Sequence, residues 1–432
     1  MLYRCNENRN MLFMSNVIRH SSLRATAIFG LFSLSGFTGL VLQVLWMREL
    51  SLLFGSTAQA AAATLAAFFL GLAAGSAYWG RRSCRIPRPL RAYGLLEAGV
   101  AVGAIAYFFV LDAFAAFYGV LYNQFELANP GLLLAIKLLL SVLVVSPAAF
   151  CMGGTLPVLS AWLVGDPPTL GARLGSTLGR RVPLLYGVNT AGAALGALCA
   201  AFVLPQILGY DLTYALAVAL VALVACAAWW IGGRGPDRMP AATKPVPTNS
   251  PRRAAGISAA VPSSWLHALA FLSGFVTLGL EVLWTRMFAQ VLQNSVYSYA
   301  VILVTFLLAL ALGSFVAGWI ARRRIPTSAT LSLLLVGAAL LVASTPLVFY
   351  QITEGLSFLG RTEGWGDYLR TLFTTAALVL GLPTLILGVL FPYLWKAAES
   401  GADSPGETVG RLLALNTLGA IILKRAVAAC PK

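Results

Sequence analysis

The stretch that decides the fold is Leu34–Arg48, LSGFTGLVLQVLWMR, because the chain repeats it as Leu272–Arg286, LSGFVTLGLEVLWTR. The two copies align without a gap at an offset of 238 residues. Further pairs follow in the same order at nearly the same offset: Gly75-Ser76 with Gly313-Ser314, Gly153–Pro157 with Gly388–Pro392, and Asn189–Ala193 with Asn416–Ala420. A period this long indicates a duplicated domain and not a solenoid repeat.

Composition places the duplicated domain in a membrane. The chain is 59% hydrophobic and only 10% charged, and its mean hydropathy is +0.82, whereas a soluble domain carries roughly 25% charged residues. Apolar runs long enough to cross about 30 Å of hydrocarbon recur along the whole length. We therefore predict an all-α polytopic membrane protein whose main partner is the lipid bilayer.

Other classes of function find no support in the composition. The formal net charge is +15, but the basic residues lie in short loops between apolar runs, so we predict no nucleic-acid partner. The six cysteines are scattered, and with two histidines they match no familiar metal-site spacing. We predict no metal site, no cofactor and no catalytic residue.

Apolar runs and helix breakers divide the chain into ten spans and the start of an eleventh. The spans are expected near 25–53, 58–80, 92–112, 131–163, 184–207, 211–232, 266–291, 296–321, 329–350 and 371–395, with the eleventh beginning near 412. The predicted organisation is a tail (1–24), a first six-helix repeat (25–232), a linker (233–264), a second, incomplete repeat (265–423) and a divergent tail (424–432).

The loops test this map independently. Loops on one side hold 22 Lys and Arg residues, and those on the other side hold Arg361 and Arg370. This asymmetry predicts that the N-terminus and the linker are cytoplasmic. Six spans in each repeat give both repeats the same orientation, so we expect a parallel repeat related by an axis along the membrane normal.

The second copy follows the first as far as Leu423 and then diverges into Lys424-Arg425. We expect about 10–11 transmembrane helices, with the second repeat truncated. A truncated or frame-disrupted gene product and a short variant with a re-entrant end both agree with this pattern.

Ionisable and polar side chains inside the spans are the candidate transport residues, because they are costly in hydrocarbon. The candidates are Gln43, Arg48, Glu97, Glu281 and Arg286. Glu281 lies midway along span seven where the first repeat has Gln43, and we expect it to meet a partner on another helix, for example Arg48. A static ion pair that locks the repeats and a cation or proton site both remain open.

Prolines, asparagines and glycines complete the pattern. Candidate helix kinks are Pro147, Pro157, Pro383 and Pro392, in spans four and ten. Asn189 and Asn416 are expected to open spans five and eleven, as helix caps or interhelical hydrogen-bonding groups. Gly71, Gly75 and Gly80 in span two, with Gly313 and Gly318 in span eight, are typical of close helix contacts.

These motifs together carry a family resemblance. The quoted repeats, Leu70–Ser76, Tyr93–Glu97, Gly154–Pro157 and Tyr186–Ala193 resemble the membrane part of bacterial fused major-facilitator/spermidine-synthase-like proteins, over about 30–423. The resemblance implies a major-facilitator-like fold in the bacterial inner membrane. The family's soluble aminopropyltransferase-like domain has no counterpart here, because no strand, Gly-rich loop and helix unit occurs.

Three functions follow from these observations. The first is a major-facilitator-like secondary transporter, or its remnant, and the resemblance suggests amines or polyamines as its small cationic substrate. The second is a membrane anchor or scaffold for a separate aminopropyltransferase-like domain. The third is a non-functional fragment.

The predicted topology is tested at Cys84, in the loop after span two. A membrane-impermeant maleimide should label Cys84 only after cells are permeabilised, because the Arg-rich loops face the cytoplasm. A variant with Cys84 replaced and Arg370→Cys, in an opposite loop, should be labelled in intact cells. Labelling of Cys84 from outside would contradict the topology.

Overall fold

The computed structural model is helical throughout the residues it describes, which are 2–54, 58–125, 130–165, 177–234, 261–292, 296–323, 325–359, 364–399 and 404–428. The helices are α1 (Leu2–Phe54), α2 (Ala58–Arg82), α3 (Pro89–Phe125), α4 (Pro130–Gly165), α5 (Thr177–Phe202), α6 (Leu204–Gly233), α7 (Ser263–Phe288), α8 (Val296–Ile320), α9 (Thr327–Ile352), α10 (Trp365–Ala398) and α11 (Pro405–Ala428). Nine helices in the described part of the chain, all except α2 and α11, are long and apolar enough to cross a membrane.

Most predicted spans match these helices, but several boundaries differ; for example, α3 continues to Phe125 and α11 begins at Pro405. Helix α1 begins at Leu2, so residues 2–24 continue the first helix. Helix α5 begins at Thr177, seven residues before its predicted start. It ends at Phe202 and not near 207, because Pro205 falls in the first turn of α6, where a missing N–H is tolerated.

Helix contacts show the internal twofold directly. Three main contacts inside the first half, α1–α6, have counterparts in the second half, α7–α11, six helices later, whereas the contacts of α6 with α1 and α3 have none because the described chain has no twelfth helix. Thus α1·α5 corresponds to α7·α11, α2·α4 to α8·α10, and α3·α4 to α9·α10. The two seams between the halves, α2·α11 and α5·α8, exchange under the same operation. The all-helical fold and the parallel pair of repeats predicted from the sequence are confirmed.

Glycine allows the paired helices to touch through their backbones. A Cβ on Gly36 would lie 2.1 Å from the Asn189 carbonyl oxygen, and a Cβ on Gly274 would lie 1.8 Å from that of Asn416. The same relation holds between α2 and α4, where Gly75 meets the Phe150 carbonyl oxygen. Helices in lipid associate through such close van der Waals contact, because burying apolar surface gives little gain there.

The repeated Leu-Trp dipeptide anchors each half in the same way. Trp46 and Trp284 are both buried. The Trp46 indole N–H donates to the Tyr214 hydroxyl at 2.9 Å, and the Trp284 N–H donates to the Thr345 hydroxyl at 3.2 Å. A large apolar ring with a satisfied donor packs the interior without leaving an unpaired polar group.

The hydrophobic interior divides differently at the two ends of the bundle. We call the end where odd-numbered helices begin and even-numbered helices end the basic end, and the other the far end. At the basic end one cluster joins both halves, with Phe32, Leu159 and Leu185 from the first and Leu394 and Leu412 from the second. At the far end the buried residues form one cluster in each half, around Trp46 in the first and Phe288 in the second, and the partly buried Phe202 of α5 packs against the second cluster.

The glycine contacts make a direct prediction for α1. Gly36→Ala should lower stability by about 1–3 kcal/mol, because its methyl group overlaps the α5 backbone. Gly30→Ala is the matched control in the same helix, since a Cβ there has nothing within 4 Å. The control should be neutral or gain up to about 1 kcal/mol of helix propensity. Thermal unfolding in detergent measures both, and equal melting temperatures for the two variants would refute the close contact.

Candidate functional site

The most enclosed carboxylate among the described residues is Glu97 on α3. Its side chain is 2% exposed, and the Ser35 hydroxyl on α1 donates to its Oε1 at 2.6 Å. The buried phenol of Tyr93, one turn earlier on α3, lies beside both groups. The Tyr93 oxygen meets no hydrogen-bond geometry with a described residue, so Ser35 supplies the directed contact to Glu97.

The helices around Glu97 are those of the first half alone. Ser35 lies on α1. Cys151 lies on α4, and its thiol is close enough to interact electrostatically with the Glu97 carboxylate. Position 97 corresponds to Leu335 in the second half, which is 39% exposed on α9. The internal twofold therefore provides equivalent helices in both halves. The acidic side chain at this position is present in the first half and absent from the second.

The cost of ionising Glu97 defines what this site can do. Among the described residues no Lys, Arg or His forms an ion pair with Glu97. A buried carboxylate without a cation costs several kcal/mol, and one hydroxyl donor offsets only part of that. Binding a proton or a small cation removes the cost, so this geometry suits a site that gains and loses positive charge.

The structure places Arg48 away from Glu281. Arg48 forms an ion pair with its neighbour Glu49, and its guanidinium lies 3.5 Å from the ring centroid of Tyr210 on α6. The expected pair between Arg48 and Glu281 is therefore wrong. Arg48 lies six residues before the end of α1, and this helix packs against α5 and α6, which brings Tyr210 of α6 within reach.

The remaining polar candidates lie apart from the Glu97 site. Glu281 is half-buried on α7 and close enough to interact electrostatically with Tyr299 of α8. Gln43 is half-buried on α1, and Arg286 is exposed in the last turn of α7. The structure thus brings together Ser35, Tyr93 and Glu97, whereas Gln43, Glu281 and Arg286 lie on other parts of α1 and α7. Sequence analysis identified Glu97 but missed Ser35, although both lie in segments quoted there as motifs.

The predicted kink prolines lie inside the continuous helices α4 and α10. Pro157, Pro383 and Pro392 are buried, whereas Pro147 is exposed. The hydroxyl of Thr384, the residue after Pro383, is buried and has no hydrogen-bond partner among the described residues.

Asn189 and Asn416 are not helix caps, contrary to the capping prediction. Helix α5 begins at Thr177 and α11 at Pro405, so both asparagines lie well inside their helices. The apolar runs begin later than the helices do, because each helix carries a polar first segment such as Arg180-Arg181 in α5. Asn416 donates its Nδ2 to the Ala270 carbonyl oxygen of α7 at 3.3 Å, which confirms the interhelical alternative.

An aromatic contact joins the two halves at the basic end, and no sequence motif marked it. Tyr186 on α5 packs against Phe391 and Trp395 on α10, with ring centroids 6.1 and 5.6 Å apart. The positions related to these three by the repeat are Leu413, Leu156 and Ser160, none of which is aromatic. Aromatic side chains are common in any membrane helix, so composition alone could not mark these three as partners across the halves.

Comparison with known proteins adds little to this picture. No protein-family model and no curated protein sequence matches the chain. It is similar to a crystal structure of the E. coli fucose:proton symporter FucP, with a TM-score of 0.48, 15% identity, and 93% of this chain and 91% of that chain covered. It is also similar to a crystal structure of the Major Facilitator Superfamily transporter FucP in the outward conformation, with a TM-score of 0.43 and 14% identity; 92% of this chain and 98% of that chain are covered. Similarity at this level describes neither the substrate nor the mechanism of this chain.

A double-mutant cycle tests the coupling between Ser35 and Glu97. Ser35→Ala should cost about 1–3 kcal/mol of unfolding free energy, because it leaves the carboxylate unsatisfied, and the cost should fall in a Glu97→Gln background. Ser141→Ala is the control, since that buried hydroxyl bonds to the backbone of its own helix at 2.9 Å. Ser141→Ala should cost the same in both backgrounds. A Ser35→Ala cost that is also unchanged would show that the two residues are not coupled.

Proposed function

We propose that this chain is a secondary transporter that works by alternating access, and that the structure is its state closed at the basic end. The observation that supports this most is the division of the interior: buried residues of both halves form one hydrophobic cluster at the basic end, whereas the far end has one cluster in each half, with the partly buried Phe202 of α5 reaching the second. A static bundle has no need for a core that is shared at one level and split at the other. Two rigid halves that rock against each other require both arrangements in turn.

The closed end is held by contacts that cross the axis between the halves. Helix α10 meets α5 through Tyr186, Phe391 and Trp395, and α11 meets α4 near Pro157. A Cβ on Gly406 of α11 would lie 2.8 Å from the Pro157 carbonyl oxygen, so this approach is as close as a backbone contact allows. Opening the basic end must separate these surfaces.

The two seams supply the pivots. On α2·α11 a Cβ on Gly80 would lie 2.9 Å from the Gly410 Cα, and on α5·α8 the Phe315 ring packs directly against Gly187. At least one helix of each seam presents small residues, so its surface there is smooth. The two helices can therefore slide past each other without separating interdigitated long side chains. Because the twofold exchanges the seams, a rotation about the axis strains both equally.

Small amines or polyamines are the substrate class that we propose, on two grounds. The sequence resembles a family whose soluble part is aminopropyltransferase-like, and the membrane spans contain the acidic side chains Glu97 and Glu281. Glu97 is enclosed in the first half, and so it suits a proton or small cation, whereas the half-buried Glu281 suits contact with an ammonium group.

Distances between spin labels test the rocking motion without knowledge of the substrate. One label sits on Cys84 after α2 and the other on Arg323→Cys after α8, both exposed at the basic end in opposite halves. The other five cysteines are replaced. We expect two populated distances in nanodiscs, the shorter from the closed state, and a shift between them when spermidine is added.

The control pair lies within one half. Labels on Cys84 and Arg234→Cys, at the end of α6, should give one distance under all conditions. A single distance for the pair across the halves, at every pH and with every amine, would rule out alternating access. The matching flux measurement is uptake of labelled spermidine by proteoliposomes. We expect saturable uptake that Glu281→Gln abolishes and Asp112→Asn, at an exposed carboxylate of α3, leaves unchanged.

A further inference from the structure

One of the two seams contains a cavity with a charged mouth. The cavity, of about 330 Å³, lies between α2, α7 and α11 at the basic end. Arg81, His267, Glu407 and Arg411 line it on the side of the basic end, and Ala414, Leu415 and Leu418 line it further along α11. Seven residues separate Arg411 from Leu418, so the apolar part extends about 10 Å along the helix.

The cavity opens on the outer surface of the bundle. Its α11 residues, 407, 411, 414, 415 and 418, share one face at helical spacing. Val409 and Leu412, which belong to the shared core, lie on the opposite face. Trp265, two residues before His267, is 64% exposed, as aromatic residues are at the level of lipid headgroups. The polar mouth therefore lies at headgroup level and the apolar part at the level of acyl chains.

The charge at the mouth is positive. Among the described residues that line the mouth, Arg411 is paired with Glu407 at 2.6 Å, whereas Arg81 forms no ion pair; His267 lies on the same wall. Other arginines at this end rest on aromatic rings: Arg82 on Tyr78, Arg91 on Trp229, Arg234 on Trp230 and Arg323 on Trp319. The Arg81 side chain has no such ring and no ion pair among the described residues.

The twofold shows that this cavity is specific to one seam. The equivalent of Ala77 is Phe315, that of Arg81 is Trp319, and that of His267 is Phe29. At the α5·α8 seam the Phe315 ring fills the space, because it would lie 2.9 Å from a Cβ on Gly187. The seam of α2 and α11 thus has a small residue, an arginine and a histidine where the seam of α5 and α8 has three aromatic residues, which both empties the space and adds the positive charge of Arg81.

We propose that this cavity binds one anionic phospholipid, with its phosphodiester between Arg81 and Arg411 and an acyl chain along Ala414 and Leu418. Basic pockets between membrane helices on the cytoplasmic side have the chemistry for such headgroups. A guanidinium offers paired donors to phosphate, and Arg411 retains donors beyond the one that contacts Glu407. The apolar part of the cavity favours a lipid over a free anion.

The test uses the purified full chain in dodecyl maltoside with an equimolar mixture of phosphatidylglycerol and phosphatidylcholine. Native mass spectrometry should show one retained phosphatidylglycerol. Arg81→Gln should weaken its binding roughly fivefold, as expected for the loss of one cation near a headgroup. Arg81→Lys should retain most of the binding.

Arg323→Gln is the matched control, because it removes one exposed arginine from the same end at the filled seam. It should change phosphatidylglycerol binding less than twofold. Equal retention of the two lipids, or equal effects of Arg81→Gln and Arg323→Gln, would overturn the proposal. So would stabilisation by inorganic phosphate alone, at constant ionic strength and equal to that by the lipid, since a free anion would then account for the site.

Discussion

Close approach of helix backbones is the constraint on which the rest of this structure depends. In lipid, apolar side chains gain little by leaving their surroundings, so helices associate where their surfaces fit closely. Gly36 against Asn189 and Gly274 against Asn416 bring backbones so near that even a methyl group has no room. These contacts fix α1 on α5 and α7 on α11, and every later feature, from the seams to the buried carboxylate, is positioned by helices held in this way.

The closed basic end follows from the same packing with larger side chains. Where α5 meets α10, three aromatic rings replace the glycine contacts and extend one hydrophobic interior across both halves. At the far end Trp46 and Trp284 each turn to a hydroxyl partner in their own half, and the halves contact each other there through Phe202, which packs against Tyr297 and Phe373. The fully buried clusters at this end are therefore formed within each half, whereas the cluster at the basic end is shared.

Departures from the twofold mark the places where the halves have acquired different chemistry. Glu97 stands where the second half has Leu335, and Glu281 where the first has Gln43. The cavity beside Arg81 stands where the other seam has Phe315 and Trp319. Each change replaces one or a few side chains on a backbone arrangement that both halves share, so none disturbs the fold. The buried carboxylate is the costliest of them, since among the described residues its directed partner is Ser35, and a hydroxyl does not neutralise a charge.

The sequence by itself determined the class, the duplication and the parallel orientation of the repeats, because apolar length, period and loop charge are properties of the chain read in order. It also identified Glu97 as a deep charge and the glycines of span two as contact residues. Only the tertiary structure decided which helix each residue meets. In the structure Arg48 contacts Glu49 and Tyr210 and not Glu281. Asn189 lies inside a helix and not at its start, and Tyr186 packs against Trp395. Partners between helices depend on rotation and depth, which a pattern along one helix does not specify, and so the site and the closed end could be seen only once the bundle was assembled.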